Sequence, residues 1–188
     1  MLSATTEVAD RGETLVFDLH KKYLQETKPS GFFGELNKSA IERFEFLKFP
    51  HSKHEMYTFA NTKDMAQTRF DLQRKSAVGG DFVKKHIYAG CEDAVITLVD
   101  GAYRPDLSKL DLRVSLSGLE TAATEPAIKR YLLNTISEEN DVFASINGAF
   151  SHQGIFLEVD TAALIDVPLQ ILHVSTGSLK NYLLCLSQ

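Results

Sequence analysis

Six apolar or β-branched residues, "AVITLV" (94–99), run without interruption into Asp100-Gly101. Such a run reads as a strand. Asp-Gly at its end is a strong signal for a two-residue hairpin, because a type I′ turn needs positive φ at both central positions. Pro105 limits the returning strand, since it has no N–H to give to a ladder. "LRVSLSGLE" (112–120) supplies a further short strand. Two more follow Gly154: "IFLEV" (155–159) and "VPLQILHVS" (167–175), with Pro168 at the start of the second, where a missing N–H is least disruptive.

The first third has a different period. Leu15, Val16, Leu19 and Tyr23 share one face of a helix over residues 10–25. Asp10 with Glu13 forms a capping-box spacing, and Lys21 and Lys22 fall towards the C-terminal end, where the helix dipole favours cations. "TKPSGFFG" (27–34), with a proline and two glycines, reads as a loop. Ser39 and Glu42 then open a second helix to Leu47, with Ile41, Phe44 and Leu47 at helical intervals. Pro50 ends it, because the residue before a proline is pushed out of the helical region. A short helix is expected over 62–68. Thr124-Glu125-Pro126 marks another helix start, with Ile128, Leu132 and Ile136 as its buried stripe. Residues 141–150, "DVFASINGAF", are ambiguous between helix and strand. The expectation is an α+β fold: a helical region over 1–75, a small mixed α/β part over 76–140 with a hairpin at 95–105, and a strand-rich part over 141–188.

The chain has 188 residues, 44% of them hydrophobic and 24% charged, which suits a folded domain with a real core. Twenty basic and 25 acidic side chains leave a net charge of −5, with no basic run. That excludes an electrostatic footprint for nucleic acid or an anionic membrane. No apolar stretch approaches the ~20 residues needed to cross a bilayer, and the N-terminus does not resemble a signal peptide. Cys91 and Cys185 are far apart, which fits unpaired thiols in a reducing cytoplasm.

The richest chemistry lies in "FPHSKHEMYTF" (49–59). A zinc site needs three or four converging ligands. His51-x-x-His54 with Glu55 offers a beginning, so one reading is a small metal-dependent hydrolase using His51, His54 and Glu55. Against it, the metalloprotease motif relies on histidines at i and i+4 of a helix. Here the spacing is three and Pro50 argues against a helix. His20, His86, His152 and His173 are scattered. There is no Gly-x-Ser-x-Gly elbow, no phosphate loop and no Gly-x-Gly-x-x-Gly. Cys185, within "YLLCL", reads as a small buried hydrophobe. The better reading of the stretch is a structural corner. Polar side chains such as Lys53 and Glu55 would bond to backbone groups freed at the helix end. Tyr57 and Phe59, two apart, would pin an extended segment to the core.

Three segments together resemble the SufD family of iron–sulfur cluster assembly proteins. "FLKFPHSKHEMYTF" resembles its N-terminal signature through Pro50, Lys53 and Glu55, with Tyr57 and Phe59 where the family usually has tryptophan and tyrosine. "LVDGAYRPDLSKL" (98–110) is similar to its strand–turn–strand, carrying Asp100, Gly101 and Pro105. "IFLEVDTAALIDVPLQILHVSTG" (155–177), with Pro168, looks like its entry into a β-helix. The related SufB shares the β-helix, but the opening signature favours SufD. The resemblance implies that 141–188 holds the first strands of a right-handed parallel β-helix. It implies a non-catalytic scaffold subunit that works through SufB-like and SufC-like partners, with these signature residues structural in role. The cluster is handled by the full complex, and no cofactor is expected in this chain. SufD chains are much longer, so the chain reads as an N-terminal part of one. An open β-helix end leaves unpaired backbone groups, hence an expectation of self-association through 155–186.

Overall fold

In the computed structural model of the chain, β1 (Ala94–Val99) is buried at all six positions and paired along both edges. The structure describes residues 4–50, 57, 62–72, 77–110, 114–126, 129–132, 141–152, 154–159 and 165–176, with side chains from residue 12 onward. On one edge β1 runs antiparallel to β2 (Ala102–Tyr103) and β3 (Lys109–Leu110), placing Val99 opposite Ala102 and Ala94 opposite Leu110. On the other it runs parallel to β6 (Gln170–Val174), with Ile96 opposite Ile171 and Val99 opposite Val174. A strand covered on both faces has no place for alternating polar residues, which is why its sequence reads as one apolar run.

The hairpin at 95–105 forms as its residues predict. Asp100 and Gly101 have φ of 48° and 85°, the positive pair a type I′ turn requires. Pro105 opens a 3₁₀ turn (Pro105–Leu107) that splits the returning edge into β2 and β3. Thr97, fully buried in β1, faces this interruption. Its N–H donates to Ser108 Oγ at 2.9 Å and its hydroxyl to Leu107 O at 2.8 Å. Ser108 in turn donates to Arg104 O at 2.7 Å. Side chains thus replace the ladder bonds that the turn removes, as buried backbone groups require.

The helical part differs from expectation at its boundaries. α1 spans Ala4–Thr27, so Asp10 stands inside the helix and cannot cap it. Lys22 lies more than a turn before the end and pairs instead with Glu26 at 3.9 Å and Asp71 at 3.8 Å. α2 spans Gly31–Leu47, which corrects both the loop at 27–34 and the start at Ser39. The connection is only Lys28–Ser30. Phe33, Leu36, Asn37, Ala40 and Phe44 make one continuous buried stripe, and Phe33 packs with Leu36, Leu119 and Ala123. That burial outweighs the roughly 1 kcal/mol that a glycine costs a helix. The exit is as predicted: Lys48 turns to φ 58°, its N–H returns to Phe44 O at 2.8 Å, and the chain leaves through buried Phe49 to Pro50.

α3 (Lys63–Gln67) crosses α1 where Gly12 has no side chain to interfere: a Cβ there would meet Ala66 O at 2.6 Å. α4 (Gly80–Lys84) is a single turn before the sheet, and α5 (Leu119–Ala122) follows β4 (Val114–Gly118). The ambiguous 141–150 is helical, as α6 (Val142–Ala149). It packs against α2, and Val142, Ile146, Ala149 and Phe150 join Tyr23 and Phe44 in the main core. β5 (Ile155–Val159) pairs antiparallel with β4, Leu116 opposite Leu157. The two late strands therefore join two different sheets. Mixed helices and strands make the fold α+β, and no described helix is long and apolar enough to cross a membrane.

Candidate functional site

Among the described residues, no three His, Cys, Asp or Glu side chains converge as metal ligands would. What the described residues do present is a strand with one side unused. β6 pairs with β1 on one edge, and no other described strand pairs with it. Ile171 is 49% exposed, and Ile165 and Val167, just ahead of the strand, are exposed as well. The strand "QILHV" contains no formal charge and no proline. Natural edge strands usually carry lysine, proline or a bulge to discourage pairing, and this one carries none of them within its length.

Both ends of β6 are fastened. At the start, the Gln170 side chain forks: its Nε2 donates to His86 O at 2.8 Å, and its Oε1 accepts from Tyr88 N at 2.9 Å. Just beyond the end, Thr176 meets the turn after β1. Its N–H donates to Asp100 Oδ1 at 2.8 Å and its hydroxyl to Asp100 Oδ2 at 2.6 Å. Asp100 N donates to Val174 O at 2.8 Å. Asp100, 6% exposed, thus serves twice, as a turn residue and as the acceptor that holds the chain leaving β6. A carboxylate suits the task because it only accepts, and both Thr176 groups donate.

A second junction joins the helices. Asn37, fully buried, donates from Nδ2 to Gly148 O at 2.7 Å and Ser151 O at 2.8 Å, satisfying carbonyls at the end of α6. Its Oδ1 accepts from Tyr23 OH at 3.2 Å. At the other end of α6, Asp141 Oδ1 caps Phe143 N at 2.7 Å and also accepts from Tyr57 OH at 3.0 Å. The Tyr57 ring lies against Phe143, at 5.6 Å between centroids. Burial first, then the Asp141 carboxylate, push the Tyr57 hydroxyl up to about 12.

The signature residues therefore divide. Pro50 is half-buried and its carbonyl accepts from Thr62 Oγ1 at 2.9 Å. Tyr57 ties its segment to the start of α6. Asp100, Gly101 and Pro105 build the hairpin and its interruption. Pro168 is exposed, two residues ahead of β6. His51, Lys53, His54, Glu55 and Phe59 lie outside the described residues. Cys91 is a buried free thiol. Sequence reasoning missed Asn37, Gln170, Thr176 and the second role of Asp100. Asn37 left a signal, since a polar residue inside the stripe Phe33–Phe44 needs a buried partner. Gln170 and Thr176 left none, because their partners are 84 and 76 residues away.

Residues 14–171 match the family model described as SufBD protein N-terminal region. No curated protein matches the chain.

Proposed function

The chain belongs to the family of SufBD protein N-terminal regions, and from that membership we propose that it is a non-catalytic, SufD-like scaffold subunit of iron–sulfur cluster assembly. It acts by contact with SufB-like and SufC-like partners, and the cluster is the cargo of the whole complex. The match over residues 14–171 carries this reading. The Pro50–Lys53–Glu55 signature favours the SufD side of the family over SufB. Among the described residues β6 is uncharged and paired on one side, which supports a role in contact: an edge that leaves N–H and C=O groups unpaired is a template for further strands. In this reading β6 is where the first coil of a parallel β-helix is laid down, and where the isolated chain pairs with itself.

Co-expression with SufB-like and SufC-like subunits tests the assignment. The expected result is co-elution in size-exclusion chromatography, weakened by Ile171→Glu on β6. Elution of the chain apart from both subunits overturns it. So does stoichiometric zinc that is lost in His51→Ala and His54→Ala.

A further inference from the structure

His20 is 6% exposed, in the middle of α1. Its ring stacks on Tyr23, with centroids 5.9 Å apart, and meets the edge of Phe150 at 5.5 Å. One ring nitrogen is hydrogen-bonded to the backbone of Ala149, the last residue of α6. The other, Nε2, is buried with no partner. The bonded nitrogen is therefore Nδ1, and it is the donor, since a carbonyl only accepts.

In this arrangement the neutral ring fits and the charged ring does not. Protonation would place an N–H on Nε2 with nothing to receive it and a full charge between two aromatic rings. Among the described residues no carboxylate is paired with His20, and burial and the Ala149 bond alone act on its charge. On its own helix the nearest charged side chains, Asp18, Lys21 and Lys22, are exposed. Tyr23 is the titratable group in contact from α1. From beyond α6, His152 lies on the Tyr23 ring at 5.4 Å, and from α2 the amide of Asn37 bonds to the Tyr23 hydroxyl.

We propose that His20 is an acid-sensitive latch: its neutral ring docks α1 onto the end of α6, and proton uptake releases that contact while the β1 sheet stays paired. Burial lowers the His20 pKa from its ordinary 6.5, with the Ala149 bond opposing. The sign follows from linkage. Below pH 6.5 the released form takes a proton that the docked form refuses, so docking is complete above that pH and weakens as pH falls. With one proton per opening, the released fraction grows about tenfold per pH unit until the docked pKa is reached. The inference is independent of the scaffold reading.

Hydrogen exchange on the wild-type chain between pH 7.5 and 5, corrected for the intrinsic rate, tests it. Amides of 146–151 should lose protection about tenfold per pH unit below about 6.5, while those of β1 keep theirs. The His20→Phe variant should lose that dependence, and His152→Gln should retain it. Equal changes in α6 and β1, no change in either, or a dependence that follows His152 each overturn the proposal. If His20→Phe does not fold, the wild-type comparison of α6 with β1 decides alone.

Discussion

The Asp100 carboxylate holds Thr176 by both of its oxygens, one on the backbone N–H and one on the hydroxyl, across 76 residues of chain. The contact locks the exit of β6 to the turn that ends β1. Asp100→Asn keeps a residue that tolerates positive φ but presents an N–H₂ to a donor. A loss of about 1.5–3 kcal/mol is expected, with Thr176→Val losing about 1 kcal/mol. Urea unfolding midpoints check both, and an Asp100→Asn midpoint equal to that of the wild type would refute the clamp.

Asn37 should matter more than Tyr23, although they share a network. Asn37→Leu removes both Nδ2 bonds, at an expected cost of about 2 kcal/mol. It leaves Gly148 O only backbone N–H groups at the helix end, such as Ser151 N at 3.3 Å, and Ser151 O the Tyr23 hydroxyl at 3.1 Å. Tyr23→Phe leaves both Asn37 donors in place and should lose about 1 kcal/mol. Reversal of that order in thermal or urea unfolding would show that α6 is terminated by something else.

Gly12→Ala sets two effects against each other. Alanine favours a helix over glycine by about 1 kcal/mol. Here, however, the new Cβ would lie 2.6 Å from Ala66 O and 2.7 Å from Ala66 Cβ, so α3 has to move. Overpacking of this kind costs about 1–3 kcal/mol, and net destabilisation is expected. A raised melting temperature would show that α3 yields without loss.

Tyr57 supplies an alkaline test. Its pKa is raised from 10 to about 12, so the folded state resists loss of the proton. That contribution is complete below pH 10 and disappears as pH rises from about 10 to about 12. Stability of the wild type should fall through this window more steeply than that of Tyr57→Phe. Tyrosinate absorbance together with unfolding curves measures both, and parallel curves would exclude the Tyr57–Asp141 bond.

What could be read locally was read from residues that settle their own neighbourhood. Asp100-Gly101 is a pair that tolerates the positive φ a type I′ turn needs, so it marks the hairpin from its own two residues. The β5 run, Ile155–Val159, stands with the predicted bounds, and Pro50 marks the departure from α2. What could not be read depends on distant partners. Gly31 and Gly34 look like breakers until Phe33 is seen buried beside Leu119. The parallel partner of β6 is β1, far back in the chain, and no local period reveals it. His20 looks scattered in sequence, yet it follows Leu19 directly on the buried side of α1. At the candidate site, the strand "QILHV" was legible, but the fastening of its ends by Gln170 and Asp100 was not.

The 3₁₀ turn at Pro105 has a consequence for how this sheet can extend. On that side of β1 the outer edge is two strands of two residues each, broken by a proline. Paired charges flank it, Arg104 with Asp106 and Lys109 with Asp93. These are the features that discourage a neighbour from adding on. Among the described residues the opposite side ends in β6, uncharged and continuous. The sheet is therefore one-way: growth is blocked where the hairpin returns and is permitted where the chain leaves. Whatever strand comes next, from this chain or another, is directed to a single flank.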